Sequence, residues 1–406
     1  MAKSAIVRAP RPDELERAAL IGQIAFESPE PGPWVRSYSW IADNWGLDHL
    51  IVVEVDGQLV ASLLCTPGLA HFSNDIVPLS AVGGVSTLPE HRRCGYGGMM
   101  MAHAVRVLYD HGYHTSALWP FSYNYYRKFG WEVASEHRSY TIPSELASKL
   151  APPDGTRPAR KDELPTISRL VARFARRYNC VTVRDELWWS CIGAISGFEF
   201  DGSDDPRTSR CPWVHERDGE IDGCAVFNVS GEGEQTKVEI KELVAGVPEA
   251  RRAILSRLAA LGAPDISFYG PIDDGFLQEL PDPGLVKVEL HSGFQFRVTN
   301  PPAALELRSA DPGLSGRIGF LVTDPVLGSV EFDVEVTAGK ISRAKARAGE
   351  RLSMDVQTFS QLYSGYESPV RAAELGRVQA TSRSVLEFAN RLFGNALPFR
   401  SLVEIG

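Results

Sequence analysis

The residues of this chain best placed to do chemistry are Arg92, Arg93, Gly95, Gly97 and Gly98, in the run Val85-Ser-Thr-Leu-Pro-Glu-His-Arg-Arg-Cys-Gly-Tyr-Gly-Gly98. Bare N–H groups in the first turn of a helix bind anions, and the helix dipole adds partial positive charge there. Glycines let the backbone approach a ligand without a Cβ in the way. Two guanidinium groups supply charged donors. Such a set suits the seating of a diphosphate. The elements that must hold it follow from hydropathy: Leu79 to Thr87 reads as a buried strand, and Met99 to Leu108 as a helix.

Two other nucleotide motifs use the same physics, and neither fits. The dinucleotide fingerprint Gly-x-Gly-x-x-Gly, counted from Gly95, would end on Met100, and no acidic ribose ligand is evident downstream. The P-loop needs Gly-Lys-Ser/Thr, which is absent. The pattern Arg92-x-x-Gly95-x-Gly97, preceded by a strand and Pro89, resembles the pyrophosphate loop of the GNAT acyl-CoA-dependent acetyltransferases.

With 406 residues the chain is too long for one ordinary core, so two or three domains are expected. A net charge of −9 argues against a nucleic-acid partner and suits cationic substrates. The N-terminal residues show no signal-peptide core and no run reaches membrane-span length, so a soluble, cytoplasmic protein is expected. Cys65, Cys94, Cys180, Cys191, Cys211 and Cys224 form no Cys-x-x-Cys pair, and each reads as a buried or incidental thiol. Cys94 lies in the anion loop as a small turn residue. The nine histidines show no ligand spacing, so no metal is expected.

The chain also repeats itself. Leu50–Val55 and Leu59–Leu64 flank Asp56-Gly57, and Trp213–Arg217 and Cys224–Val229 flank Asp218-Gly219, both type I′ hairpin signals. Each hairpin is followed by a strand and then by Pro-Glu-x-Arg-Arg, at Pro89–Arg93 and at Pro248–Arg252. One fold is used twice in tandem. Opposite Gly95 and Gly97 stand Ile254 and Ser256, so the second copy is expected to have lost the diphosphate site. From about Val298 the pattern changes. Val330, Phe332, Val334 and Val336 alternate with acidic residues as a half-solvated strand, Ile318 to Val322 supplies a partner, and two helical stretches follow. Breaks at Ala151-Pro-Pro-Asp-Gly155 and Asn300-Pro-Pro302 give three domains, residues 1–150, 151–297 and 298–406, the last of α+β class.

After the loop helix, Thr115 to Leu118 is a short strand, followed by Trp119 to Trp131 as a loop and a brief helix that Gly130 ends. Neighbouring parallel strands splay here to admit a thioester, and a tyrosine among Tyr123, Tyr125 and Tyr126 either donates a proton to the departing thiolate or packs. Taken whole, the chain resembles the enhanced-intracellular-survival (Eis) family: a working GNAT domain, a degenerate GNAT domain and a sterol-carrier-like domain. The resemblance rests on Val85-Ser-Thr-x-Pro-x-His-Arg-Arg-x-Gly, on Tyr126-x-x-Phe-Gly130, and on Leu362-Tyr363-x-Gly365. It implies acetyl-CoA as co-substrate, held by Val85, Ser86 and Thr87, by Arg92, Arg93, Cys94, Gly95, Tyr96, Gly97 and Gly98, and by Phe121 and Ser122. It further implies Tyr126 as general acid, the C-terminal carboxylate of Gly406 as base, and a homo-oligomer, often a hexamer. The family pattern usually ends on an aromatic residue, whereas this chain runs on from Pro398 to a terminal glycine, and Glu404 is the alternative base.

The chemistry so implied is direct transfer: a deprotonated amine attacks the acetyl carbonyl, with an amide near Val85 polarising it. No covalent enzyme intermediate is needed, which agrees with the lack of a Ser/Cys–His constellation. The family implies aminoglycosides, other amines or lysine side chains as acceptors. The substrate loop is expected at Phe26 to Trp34, with Glu27 and Glu30 attracting cations and Phe26 and Trp34 as apolar walls. The alternatives are a lipid or sterol carrier with vestigial acetyltransferase domains, and an N-acyltransferase for longer chains.

Overall fold

The structure, a computed structural model, describes residues 5–198, 200, 205–208 and 211–404. The chain divides into two compact units, residues 5–135 with 294–398, and residues 136–293 with 399–404.

In the first unit, a mixed sheet runs in the order Ala5–Arg8, Leu50–Val55, Gln58–Phe72, Asp75–Thr87, Thr115–Leu118, Gln295–Val298, Glu132–Val133. Period-two alternation decides which side chains face which layer. Leu50 and Val52 bury against helices Leu15–Ala25 and Gly32–Trp45, through Ala18, Ile21, Tyr38 and Ile41. Ile51, Val53 and Val55 bury on the other face, against Met100, Met101, Ala104, Val105 and Leu108 of helix Tyr96–Asp110. Those five residues recur at helical spacing, so the helix that opens on the glycine loop is fixed by its own apolar stripe.

Both hairpin turns form as the Asp-Gly pairs require: φ is positive at Asp56, Gly57, Asp218 and Gly219. The sheets divide the chain elsewhere than the proline-rich segments. Glu136–Pro143 pairs within the second unit's sheet, between Lys287–Ser292 and Asp265–Pro271. Gln295–Val298 pairs with Thr115–Leu118 and Glu132–Val133 of the first sheet. Proline marks where the chain bends, whereas sheet membership is set by which edge a strand can reach.

The third sheet belongs to the first unit and runs Lys340–Arg343, Val330–Thr337, Gly316–Thr323, Arg351–Asp355, Gln379–Ala380. Phe320, Phe332, Phe359 and Phe393 pack together between this sheet and the helices Val356–Ser364 and Arg383–Phe393. All six cysteines are reduced, and only Cys94 is exposed.

One feature of the repeat lies outside the hairpins. Arg8 donates from Nε to Glu54 at 3.0 Å and from Nη1 to Glu14 at 2.7 Å. In the second unit Arg157 donates from Nε to Glu216 at 3.0 Å and from Nη1 to Glu163 at 2.9 Å. The guanidinium of Arg8 holds the Glu14 carboxyl down at about 2, and Arg157 likewise lowers Glu163. A depressed carboxylate stabilises the fold above its unfolded pKa, and the contribution fades as pH falls through the folded one. Glu14→Gln is therefore expected to cost about 2 kcal/mol at neutral pH. The gap to wild type should close between about pH 4.5 and pH 2. Urea unfolding of both proteins across that range checks it; a gap independent of pH would refute the assignment.

Candidate active site

Strand Asp75–Thr87 pairs in parallel with Thr115–Leu118 only from Leu79 to Ala81. Beyond Ala81 the two strands part, leaving Val82 to Thr87 without a partner strand on that side. Gly84 sits at φ +61°, and the register with Gln58–Phe72 shifts there: Ser62 faces Ser86 while Leu64 faces Gly83. This bulge turns the strand's end and its amides toward the opening. The parting of the strands and the bulge are what a thioester needs to reach between two strands.

Below the opening, Pro89–His91 forms a single 3-10 turn, and the helix begins at Tyr96 with Gly95 as its cap. Gly95 has φ +86°, and open space surrounds the position of a Cβ, so conformation is what requires glycine here. Gly97 is glycine for the opposite reason. A Cβ there would lie 2.7 Å from the Tyr125 hydroxyl. Arg92 donates to the carbonyl oxygens of Thr87 at 3.3 Å and Ala25 at 3.4 Å, which ties the loop to the strand end.

A cavity of about 880 Å³ opens over this loop. Among the residues expected to hold acetyl-CoA, Val85, Ser86, Thr87, Arg92, Arg93, Gly95, Tyr96, Gly97, Gly98 and Phe121 line it. Cys94 and Ser122 do not: Cys94 is exposed with its thiol 3.6 Å from the Arg92 carbonyl oxygen, and Ser122 caps the short helix Tyr123–Arg127. Ala25, His91 and Lys128, given no role from the sequence, also line the cavity, as does Tyr125, one of the three candidate tyrosines. Lys128 lies two residues after Tyr126 in the Tyr-x-x-Phe-Gly motif, which was the available signal. Amides, guanidinium groups and an ammonium around one volume fit the diphosphate and phosphate of an acyl-CoA.

Tyr126 is 3% exposed, with Phe121 and Tyr125 edge-on to its ring at 5.3 and 5.1 Å. Burial pushes its phenol well above the ordinary value and that of Tyr125 to about 12, so both carry their protons at neutral pH. In the Phe26–Trp34 segment, the rings of Phe26 and Trp34 stand 5.1 Å apart and Phe26 reaches the cavity. Glu27 and Glu30 are exposed, outside the cavity lining. Gly406 lies outside the described residues. Glu404 is buried in the second unit. Its carboxylate accepts from the Thr182 amide at 3.2 Å and hydroxyl at 3.0 Å, with Arg184 and Arg400 within 3.6 and 3.8 Å.

Residues from 297 onward brace the tyrosine segment. Arg297, fully buried, donates to Asp324 at 2.5 Å and to the Phe129 carbonyl oxygen at 2.5 Å. Gln357 donates to the Arg127 carbonyl oxygen at 2.9 Å. Gly130, at φ +92°, leaves the room that Arg297 occupies.

The second copy keeps the frame. Lys237–Ala245 pairs in parallel with Asp265–Pro271 only from Val238 to Ile240, and then parts from it. The loop, however, is gone. Helix Pro248–Ala259 starts at the proline itself, so the residues aligned with Pro89–Gly95 are wound into helix and Ile254 is fully buried. With Ile254, Ser256 and Arg257 in place of the three glycines, nothing there resists winding.

Histidines far apart in sequence meet in the structure. His49 and His111 have ring centroids 4.9 Å apart, and His137 stacks on His291 at 5.4 Å. Their wide separation in sequence hid both pairs.

Comparison with known proteins agrees with this geometry. Models of the acetyltransferase (GNAT) domain match residues 7–134 and 180–298, and the sterol carrier protein domain matches 301–401. An uncharacterized N-acetyltransferase of Streptomyces avermitilis is 26% identical over 367 residues, covering 83% of this chain and 84% of its own. N-acetyltransferase Eis of Mycobacterium tuberculosis is 23% identical over 340 residues, covering 81% of each. Among solved structures, a GCN5-related N-acetyltransferase from Anabaena variabilis superposes with a TM-score of 0.82 at 17% identity, covering 99% of this chain and 100% of that one. Eis1 from Mycobacterium abscessus gives 0.72 at 21% identity, covering 98% and 99%. Two GNAT domains followed by a sterol carrier domain define the class, a tandem GNAT-family N-acetyltransferase. Within it, the chain is similar over most of its length to the Eis acetyltransferases. GNAT acetyltransferases use acetyl-CoA as co-substrate. No helix among the described residues is long and apolar enough to cross a membrane.

Proposed function

We propose that this protein transfers an acetyl group from acetyl-CoA directly to the amine of a polycationic small molecule of aminoglycoside type or of a lysine side chain. The observation that carries the reading is the cavity that joins the glycine loop to the unpartnered end of strand Asp75–Thr87. In this reading the loop amides with Arg92 and Arg93 hold the diphosphate. The Val85 amide, at the bulge, polarises the acetyl carbonyl as the nitrogen attacks. Tyr126 gives its proton to the departing thiolate, and its burial favours the protonated state needed. The Gly406 carboxylate takes the proton of the incoming ammonium. An α-carboxylate is ionised at neutral pH, and the engagement of Glu404 with Thr182 favours Gly406 over Glu404 for this role. The exposed Glu27 and Glu30, beside the apolar Phe26 and Trp34, fit the approach of a polycation.

The test is thiol release from acetyl-CoA against a panel of amines that includes aminoglycosides and lysine peptides, run beside longer acyl-CoAs. Release with polycationic amines and a preference for the acetyl donor is the expected result. Binding of acetyl-CoA without release for any amine would remove the acceptor class, and faster turnover with long acyl chains would move the assignment to another acyl group.

A further inference from the structure

Outside the cavity, the 3-10 turn Leu47–His49 meets the C-terminal end of helix Tyr96–Asp110. There one ligating atom each of Asp48, His49 and His111 lies within 4.8 Å of the others. We propose that these three side chains bind one divalent transition-metal ion of the Zn²⁺ or Co²⁺ kind.

Three observations converge on it. First, the His111 ring is preset as a ligand. Its Nδ1–H donates a hydrogen bond to the Val107 carbonyl oxygen at 2.8 Å and leaves Nε2 to face the Asp48 carboxylate at 2.6 Å. A carbonyl that fixes the tautomer behind a ligating imidazole is the usual outer support of a metal-bound histidine. A lone pair and a carboxylate oxygen do not approach that closely unless a cation or a proton lies between them. Second, His49 is 6% exposed, and neither of its ring nitrogens makes a hydrogen bond of good geometry. A polar ring buried in that state is costly. Its Nδ1 stands 3.5 Å from the other oxygen of the same carboxylate, at 3.5 Å from Oδ1 of Asp48. A metal ion shared with His111 would satisfy it. Two imidazoles on one tetrahedral ion, with metal–nitrogen bonds of about 2 Å, place their ring centroids about 5 Å apart, and the observed separation is 4.9 Å. Third, the position suits a cation. His111 is the C-terminal cap of its helix, where the dipole presents negative charge.

Two imidazoles and one carboxylate select Zn²⁺, Co²⁺ or Ni²⁺ over Mg²⁺ or Ca²⁺, which prefer oxygen. The Asp48 and His111 side chains are 59% and 30% exposed, so water completes the coordination. None of the three residues lines the acyl-CoA cavity. The ion would instead clamp the far end of the helix whose first turn forms the glycine loop.

The experiment is titration of metal-stripped full-length protein with Co²⁺, followed in the visible, and then displacement by Zn²⁺. One equivalent should give ligand-field bands without thiolate charge transfer. Zn²⁺ should raise the thermal midpoint. His111→Ala should abolish the bands, and Asp48→Asn should weaken binding at least about tenfold. Both variants should keep their affinity for coenzyme A, which reports that they are folded. Wild-type protein that binds no Co²⁺ would show an imidazolium–carboxylate ion pair only, and bands unchanged in His111→Ala would place the ion elsewhere. Either result overturns the proposal.

Discussion

Gly97→Val is expected to weaken coenzyme A binding at least about a hundredfold, a loss of about 2.7 kcal/mol, while leaving the fold intact. Gly97 has ordinary helical geometry, so valine there strains no backbone and replaces a poor helix former. Its side chain would enter the space between the loop amides and the Tyr125 hydroxyl, only 2.7 Å from a new Cβ. Calorimetry with coenzyme A, beside a thermal melt, measures both quantities. Affinity within a few-fold of wild type would mean that the diphosphate sits elsewhere. The double variant with Tyr125→Phe separates a displaced tyrosine from a blocked anion site, since only the first is relieved by removing the hydroxyl.

Tyr126→Phe should lower kcat by about a hundredfold or more, the usual scale for losing a general acid, with coenzyme A affinity nearly unchanged. The ring packs inside the first domain's core, and phenylalanine preserves those contacts with Phe121 and Tyr125. Tyr125→Phe is the decisive companion. Its side chain lines the cavity, whereas that of Tyr126 lies behind it. If kcat falls in Tyr125→Phe and holds in Tyr126→Phe, the proton donor is Tyr125. Steady-state kinetics on the two variants settle the choice.

The loop was readable because its physics is local. Positive φ at Gly95 and the helix start at Tyr96 depend on residues within a few positions of each other. The hairpins were readable for the same reason, since each Asp-Gly pair specifies its own turn. The choice between Tyr125 and Tyr126 was harder, because adjacent residues of a short helix differ in direction only once the helix is packed. The paired arginines Arg8 and Arg157 also have a local sequence signal, since Arg-x-x-Arg-x-Asp-Glu-Leu occurs twice, from Arg8 and from Arg157. That spacing carries the shared Arg–Glu contacts of both units. The pairing of His49 with His111 had no local signal, since three strands and a helix lie between them in sequence.

The seating of Gln295–Val298 between Thr115–Leu118 and Glu132–Val133 governs how the protein can be made. During translation the sheet that carries the glycine loop stays incomplete until the ribosome has released the last strand matched to the second GNAT repeat. Vectorial folding, domain by domain, is thus closed to this chain. The nascent N-terminal half must wait with an open sheet edge, the kind of surface that chaperones shield.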